Sequence, residues 1–252
     1  MTPLQAVLVL VAGIWAGTIN TVVGSGTLIT FPVLLAVGLS PVTANVSNTV
    51  GLTPGALSGA IGYRAELAGQ RARLARLGAA SLLGGVVGAV LLLKLPAGAF
   101  NDIVPVLIVL ALVLVVLQPR LSKRFAARAS GERRTVTPVL WLLVFGTGVY
   151  GGYFGAAQGV ILVATMGVLL DESLQRINAA KNVLAGLVNG VAAVVFILVS
   201  ESHVNWSAAG LIAVGSVLGG VIGARVGRRL SPVALRAVIV VVGLFAVAKL
   251  LL

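Results

Sequence analysis

The chain contains no cysteine and a single histidine, His203. Without thiols it can form no disulfide, thiolate metal site or cysteine nucleophile, and one imidazole cannot build a zinc cluster or a Ser-His-Asp triad. Ser25 and Ser47 have no predicted base beside them, so neither is expected to act as a nucleophile. The sequence therefore argues against an enzyme, and it predicts neither a cofactor nor a metal.

Acidic residues are scarce as well, six against 18 lysines and arginines. None of the six lies at the centre of an apolar run, so the carboxylate relay that drives many proton or sodium antiporters is not visible. Transport down a gradient, or transport of an anion driven by the membrane potential, fits this distribution better. The acidic residues are Glu66, Asp102, Glu132, Asp171, Glu172 and Glu201.

Apolar residues, in contrast, make up 59% of the 252 positions and are grouped into long runs. This composition predicts an all-α polytopic membrane protein whose partner is the lipid bilayer. Two of the runs, 26–38 and 157–170, are shorter than the roughly 20 residues that a crossing helix needs, so we interpret them as return arms of hairpins. The predicted apolar segments are 3–23, 26–38, 42–62, 74–94, 99–117, 137–154, 157–170, 174–199, 205–226 and 231–252.

The basic residues, which give a formal charge of +12, lie almost entirely in the links between apolar runs. This placement is typical of membrane topology signals, so no nucleic-acid partner is expected. Because cytoplasmic loops are enriched in Lys and Arg, the links 64–76, 120–134 and 225–236 should face the cytoplasm, and the link 201–203 should face outward. Both termini then lie outside the cytoplasm.

The second half of the chain repeats the first. The sequence GGVVGA at Gly84–Ala89 recurs as GGVIGA at Gly219–Ala224, in the fourth segment of each half. The charge assignments give the two halves opposite orientations, so we predict two inverted repeats, each a broken-helix hairpin plus three transmembrane helices. The predicted organisation is a first repeat at 1–118, a cytoplasmic basic linker at 119–136 and a second repeat at 137–252.

Each hairpin interrupts an apolar run with small, hydroxyl and amide residues. The two stretches are GTINTVVGSGTLITFP at Gly17–Pro32 and GVYGGYFGAAQGVILV at Gly148–Val163. Exposed backbone at membrane depth is tolerated where it lines a cavity, and bare amide groups can hold an anion. We therefore expect the tips 24–26 and 155–159 to meet near the membrane midplane and form a site, the alternative being that these glycines only permit close packing.

Packing alone is the expected role of the glycines with four-residue spacing and no polar neighbours. Such faces could also serve a homodimer. These glycines are Gly84, Gly88, Gly215, Gly219, Gly223 and Gly227.

The helix after the second hairpin places Asn178, Asn182 and Asn189 on one face, with Lys181 beside them. Lys181 lies about 12 Å from the start of that helix, where a charge needs a partner or must snorkel past the acids at 171–172 to the surface. The first half repeats the amide stripe without the lysine. The candidate substrate-binding residues are Asn20, Gly24, Ser25, Gly26, Asn45, Asn48, Thr49, Gln158, Gly159, Asn178, Lys181 and Asn182.

Together these features predict a secondary transporter of small organic or sulfur-containing anions that works by alternating access. Polar residues at one depth favour that mechanism over a channel, which would need a continuous polar pore. An anion channel and an uptake permease for small carboxylates are the alternatives.

Several stretches also resemble a known family. These are AGTINTVVGSGTLITFPVLLAVGLSPVTANVSNT followed by GYR, then GGYFGAAQGVIL, AAKN and LGGVIGARVGRRL. The chain is similar in them to the sulfite exporter TauE/SafE family, and the similarity covers nearly its whole length. The resemblance implies a bacterial inner-membrane transporter of sulfite, sulfonates or related anions, with both hairpins in the pathway. The chain departs from the family pattern at Ser47-Asn48-Thr49, where Thr-Asn-Lys is common.

Overall fold

The computed structural model describes residues 1–126, 136–226 and 232–251, and those residues form helices and connecting loops without a β-strand. Most of the predicted basic linker, residues 127–135, lies outside the described residues, as do Gly227, Arg228 and Arg229. The helices are α1 Pro3–Val22, α2 Thr27–Ala36, α3 Pro41–Gly62, α4 Arg71–Lys94, α5 Ala97–Ala126, α6 Pro138–Tyr153, α7 Gln158–Leu169, α8 Leu174–Val199, α9 Trp206–Val226 and α10 Pro232–Leu251.

The helix starts follow local signals in the sequence. The side chains of Thr2, Ser40, Thr137 and Ser173 each accept a hydrogen bond from a backbone N–H in the first turn that follows. In three of the four cases proline is the first helical residue, where it loses no hydrogen bond and its φ angle suits a helix. These caps fix the start of α1, α3, α6 and α8.

The chain is an all-α polytopic membrane protein, as predicted. Among the described residues, α3 is long enough to cross a membrane but is not apolar enough to count as a candidate span. Its polar residues Asn45, Ser47, Asn48 and Thr49 are buried inside the protein. The helices that satisfy both conditions are Pro3–Val22, Arg71–Lys94, Gly98–Arg120, Leu174–His203 and Trp206–Val226.

The two short segments predicted at 26–38 and 157–170 form the short helices α2 and α7. Each of them packs against the helix that precedes it in the chain. Four residues break the chain between α1 and α2 and again between α6 and α7. Positive φ angles occur in both breaks, at Gly24 (91°) and at Gly155 and Ala157 (78° and 58°). Two of these three residues are glycine, which adopts that conformation without a steric penalty.

The main helix contacts of each half have a counterpart in the other half. Helix α1 packs against α9 as α6 packs against α4, and α3 lies on α9 as α8 lies on α4. The short helices follow the same rule, since α2 contacts α10 and α7 contacts α5, while α3 and α8 contact each other. Two halves related by a two-fold axis would pack in this way. The inverted repeats and their opposite orientation in the bilayer stay a prediction.

Among the described residues, the glycines with four-residue spacing pack against other helices of the same chain, as predicted, whereas Gly227 lies outside that part of the chain. A Cβ on Gly84 or Gly88 would overlap the backbone of α6, and one on Gly215 or Gly219 would overlap the backbone of α1. These faces are therefore occupied, and the homodimer, which stays a prediction, would need another surface.

Labelling of single cysteines tests the inverted orientation, because the natural chain has none to remove. Ala68 follows α3 and Ser202 follows α8, so the two residues hold corresponding places in the two halves, and both are exposed. We expect a membrane-impermeant maleimide to label Ala68→Cys only from the cytoplasmic side and Ser202→Cys only from the outside. Labelling of both from one side would rule out inverted repeats.

Candidate functional site

The tips of the two hairpins touch. The backbone N–H of Gly159 donates a hydrogen bond of 3.0 Å to the carbonyl oxygen of Gly24. A Cβ placed on Gly24 would lie 2.5 Å from the Cα of Gly159, so the backbones approach as closely as two glycines allow. The break in each helix thus brings together two segments that are far apart in the chain.

The prediction that the tip amides are bare is wrong for these two glycines. Gly159 donates to Gly24, and Gly24 donates to the carbonyl of Ile19 at 3.0 Å, because a buried N–H without a partner is costly. The amides of the next residues, Ser25 to Thr27, form no hydrogen bond with any described residue, nor do those of Ala156 and Ala157. The free amides therefore belong to the N-terminal ends of α2 and α7, where helices attract negative charge.

Lys181 is fully buried and lies beside both tips. A Cβ placed on Gly159 would come within 2.8 Å of its Cδ atom. Its Nζ donates to the carbonyl oxygens of Asn20 at 2.8 Å and Thr21 at 3.0 Å, in the last turn of α1. These carbonyls have no partner within the helix and carry partial negative charge, so they hold the ammonium group. The alternative that Lys181 snorkels to the surface is therefore wrong.

Two asparagines of α8 assist the lysine at the end of α1. The side-chain amides of Asn178 and Asn182 donate to the carbonyl of Thr21 at 3.3 and 3.4 Å. No carboxylate among the described residues forms an ion pair with Lys181. Within the described part of the chain, the polar partners of Lys181 are thus backbone carbonyl dipoles alone.

Helix α3 holds the end of α6 in the corresponding way. The Asn45 side chain donates to the carbonyl oxygen of Tyr153, the last residue of α6, at 2.9 Å. Asn48 is engaged within the same half, because it donates to Thr27 Oγ1 at 3.2 Å and accepts from Thr30 Oγ1. Thr49 bonds back to the carbonyl of Asn45 at 2.9 Å. Each amide helix therefore anchors the broken helix of the other half.

Three of the candidate residues carry a buried polar atom that has no hydrogen-bond partner among the described residues: Ser25 Oγ, Gln158 Nε2 and Asn45 Oδ1. Ser25 and Gln158 are as far apart in the chain as Asn45 and Asn178, so they hold corresponding places in the two halves. Burying a polar group without a partner costs about 1–3 kcal/mol. Such groups indicate a place that a ligand or water occupies.

The remaining candidates, Asn20 and Gly26, take part in hydrogen bonds through their backbone carbonyls, and the Asn20 side chain forms none with a described residue. The Asn20 side chain is half-buried, and Gly26 packs so closely on α1 that a Cβ there would lie 3.0 Å from the Asn20 Cβ. The sequence analysis missed Tyr150, whose hydroxyl donates to the carbonyl of Ala156 and braces the second tip. It also missed Thr27 and Thr30, which form hydrogen bonds with the Asn48 side chain. Their three-residue spacing, which places two residues on one face of a helix, could have indicated them.

Comparison with known proteins agrees with this architecture. The model of the sulfite exporter TauE/SafE family matches residues 9–250. The chain belongs to the TauE/SafE family. It is 26% identical over its full length to the probable membrane transporter protein YfcA of Escherichia coli, covering 91% of that protein. It is 25% identical over 94% of its length to a probable membrane transporter protein of Haemophilus influenzae, again covering 91%.

This TauE/SafE chain is a multi-pass membrane transporter, as predicted, and the names of its relatives point away from an enzyme. No solved structure matches the chain. The geometry of the tips is therefore read from this protein alone.

Ion pairs also connect the two halves of this TauE/SafE transporter, at the end of the protein where α4 and α8 begin. Glu172 lies between α7 and α8 and accepts from Arg73 of α4 at 2.7 Å and from Arg176 of α8 at 2.6 Å. Arg176 also donates to the carbonyl of Ala68 at 3.0 Å, in the link after α3. Burial raises the pKa of Glu172, but the hydrogen bonds and charges of the two arginines outweigh it and hold the pKa below its ordinary value.

Replacing Glu172 by glutamine should destabilise the protein by about 1–2 kcal/mol at neutral pH, since hydrogen bonds to charged groups contribute about 1.5–3 kcal/mol before solvent screening. The folded-state pKa is depressed, so this stabilisation is complete above the unfolded-state pKa of about 4.3 and disappears as the pH falls through the lower folded value. Thermal unfolding in detergent across pH 3–7 measures it.

Glu201 provides the matched control, because its carboxylate is exposed and forms no ion pair with the described residues. Glu201→Gln should leave the unfolding temperature at neutral pH unchanged. An equal effect of the two substitutions would mean that Glu172 does not hold the halves together.

Proposed function

We propose that this TauE/SafE transporter carries small organic or sulfur-containing anions, such as sulfite or a sulfonate, across the bacterial inner membrane. It acts as a secondary transporter with alternating access, and the anion binds between the hairpin tips. The observation that carries the proposal is Lys181, a fully buried cation without a carboxylate partner beside the contact of the tips.

The polar groups without a partner favour an anion over a cation. The amides at the starts of α2 and α7 can only donate, the Gln158 nitrogen can only donate, and the Ser25 hydroxyl can do so. Two helix N-termini and an ammonium group add positive potential in a place of low dielectric constant. Asn45 Oδ1, which can only accept, could receive a hydrogen bond from a protonated anion or a water.

The contact between the tips is suited to opening and closing. One backbone hydrogen bond joins Gly24 to Gly159, and neither residue has a side chain to interlock. Lys181 lies along the contact and holds the end of α1 through the carbonyls of Asn20 and Thr21. An anion that draws its Nζ away from the α1 carbonyls would loosen that end, which couples binding to movement of the first hairpin.

Uptake into proteoliposomes tests the proposal. Purified protein is reconstituted and assayed with sulfite, short sulfonates and short carboxylates, with a potassium gradient and valinomycin to set the membrane potential. A transporter gives saturable uptake, and unlabelled anion inside the vesicles accelerates entry of labelled anion outside. Uptake without saturation or exchange would indicate a channel, transport of carboxylates alone would favour the carboxylate permease, and no flux of any anion would contradict the proposal.

A further inference from the structure

A groove runs along the outer side of the contact between α3 and α9. Its volume is about 680 Å³, in the range of small-molecule sites. Leu57 and Ile61 on its walls are 58% and 62% exposed, so the groove is apolar and open towards the side where lipid would lie. Its apolar walls are formed mainly by Pro54, Leu57, Ile61, Val217 and Val221.

Two arginines line one end of the groove. Arg64 lies just after the end of α3, and Arg225 lies in the last turn of α9. Both are exposed, and no carboxylate among the described residues pairs with either. Arg73 and Arg176, at the same end of the protein, do have such a partner, because both form ion pairs with Glu172. The groove thus ends in two positive charges that are available to an external anion.

The groove spans most of one leaflet of a bilayer. From Pro54 to its last residue, Gly62, the helix α3 advances about 12 Å, since each residue adds about 1.5 Å. Half of a hydrocarbon core of about 30 Å is about 15 Å. The apolar walls therefore cover most of the length of an acyl chain, and the two arginines follow them at the end where a head group would lie.

We propose that the α3–α9 groove binds an anionic phospholipid, with its phosphate on Arg64 and Arg225 and one acyl chain against the apolar walls. Basic pockets between transmembrane helices recognise anionic head groups in this way. The floor of the groove explains why such a lipid matters for the fold. Helices α3 and α9 meet there through the small residues Gly62 and Ala224, which both line the groove, and a Cβ on Gly62 would overlap the Cβ of Ala224. A bound lipid would cover this contact from outside.

Native mass spectrometry and thermal unfolding of the whole protein in a neutral detergent test the site. Phosphatidylglycerol is compared with phosphatidylcholine of the same acyl chains, and with glycerol phosphate as the soluble head group. We expect one retained phosphatidylglycerol and a raised unfolding temperature, with little effect of the other two probes. Arg64→Gln with Arg225→Gln should weaken phosphatidylglycerol binding about thirtyfold, as expected for two cations near an anionic head group.

Arg71→Gln with Arg76→Gln is the matched control, because both residues are exposed arginines that do not line the groove. Each variant is compared with and without lipid, so a change in its own stability does not affect the result. Val221→Phe tests the acyl part, since it fills the groove and keeps both charges. Equal losses in the control, equal binding of both lipids, competition by glycerol phosphate alone, or a second copy of the chain covering the groove would each overturn the proposal.

Discussion

Lys181→Met is expected to weaken anion binding about tenfold or more, because a hydrogen bond to a charged group is worth about 1.5–3 kcal/mol and 1.4 kcal/mol corresponds to a factor of ten. The ammonium group is the one cation that the described residues bring to the hairpin tips. An anion at that depth without a compensating charge is costly. Calorimetry or thermal shift with sulfite, sulfonates and short carboxylates measures the change.

The same substitution also removes a donor from the end of α1, so its effect on the fold must be separated from its effect on the anion. Lys181→Arg keeps the charge and should keep binding while changing the preferred anion, because a planar guanidinium favours carboxylates. Asn182→Leu removes a hydrogen bond to the same Thr21 carbonyl without changing the charge. It should cost about one ordinary hydrogen bond, about 0.5–1.5 kcal/mol, in binding.

Two results would contradict the role of Lys181. Unchanged affinity of Lys181→Met for every anion that the natural protein binds would mean that helix ends alone compensate the anion. An equal loss in Lys181→Met and Asn182→Leu would mean that the lysine acts only by holding α1 in place. In both cases the lysine would not contact the anion directly.

The sequence predicted the helices well because membrane segments carry a strong and simple signal. Apolar runs of membrane length and the two short runs at 26–38 and 157–170 correspond to observed helices. The glycine spacing predicted close packing correctly, since a small residue every fourth position forms one flat face of a helix. The spacing does not reveal which helix packs against such a face. In the structure these faces pack against α1 and α6 of the same chain.

The candidate site was predicted less completely because much of it is backbone. Lys181 was found from its depth in an apolar run, but its partners are the carbonyls of Asn20 and Thr21, which no side-chain pattern reveals. The same holds for Asn45 and the carbonyl of Tyr153. Three-dimensional contact also decides which amides are free: those of Gly24 and Gly159 are paired, and those of Ser25 to Thr27, Ala156 and Ala157 are not paired with any described residue.

Gly24→Val and Gly159→Val are each expected to reduce anion transport to background while the protein still inserts and purifies as a single species. A Cβ on Gly24 would lie 2.5 Å from Gly159 Cα, and a Cβ on Gly159 would lie 2.5 Å from Gly24 Cα and 2.8 Å from Lys181 Cδ. Overpacking of this kind costs about 1–3 kcal/mol and would push the tips apart. Uptake in proteoliposomes and size-exclusion chromatography measure the two effects.

The two substitutions strain the backbone differently, which identifies the cause of any loss. Gly24 has a φ of 91°, so valine there adds strain to the clash, whereas Gly159 has no positive φ and tests the clash alone.

Gly38 supplies the opposite case, since its φ is 96° and a Cβ there would meet no atom within 4 Å. Gly38→Val should lower stability by about 1–2 kcal/mol and preserve transport. If Gly38→Val also abolished transport, or if Gly159→Val transported normally, contact between the tips would not be required, and these glycines would serve packing only.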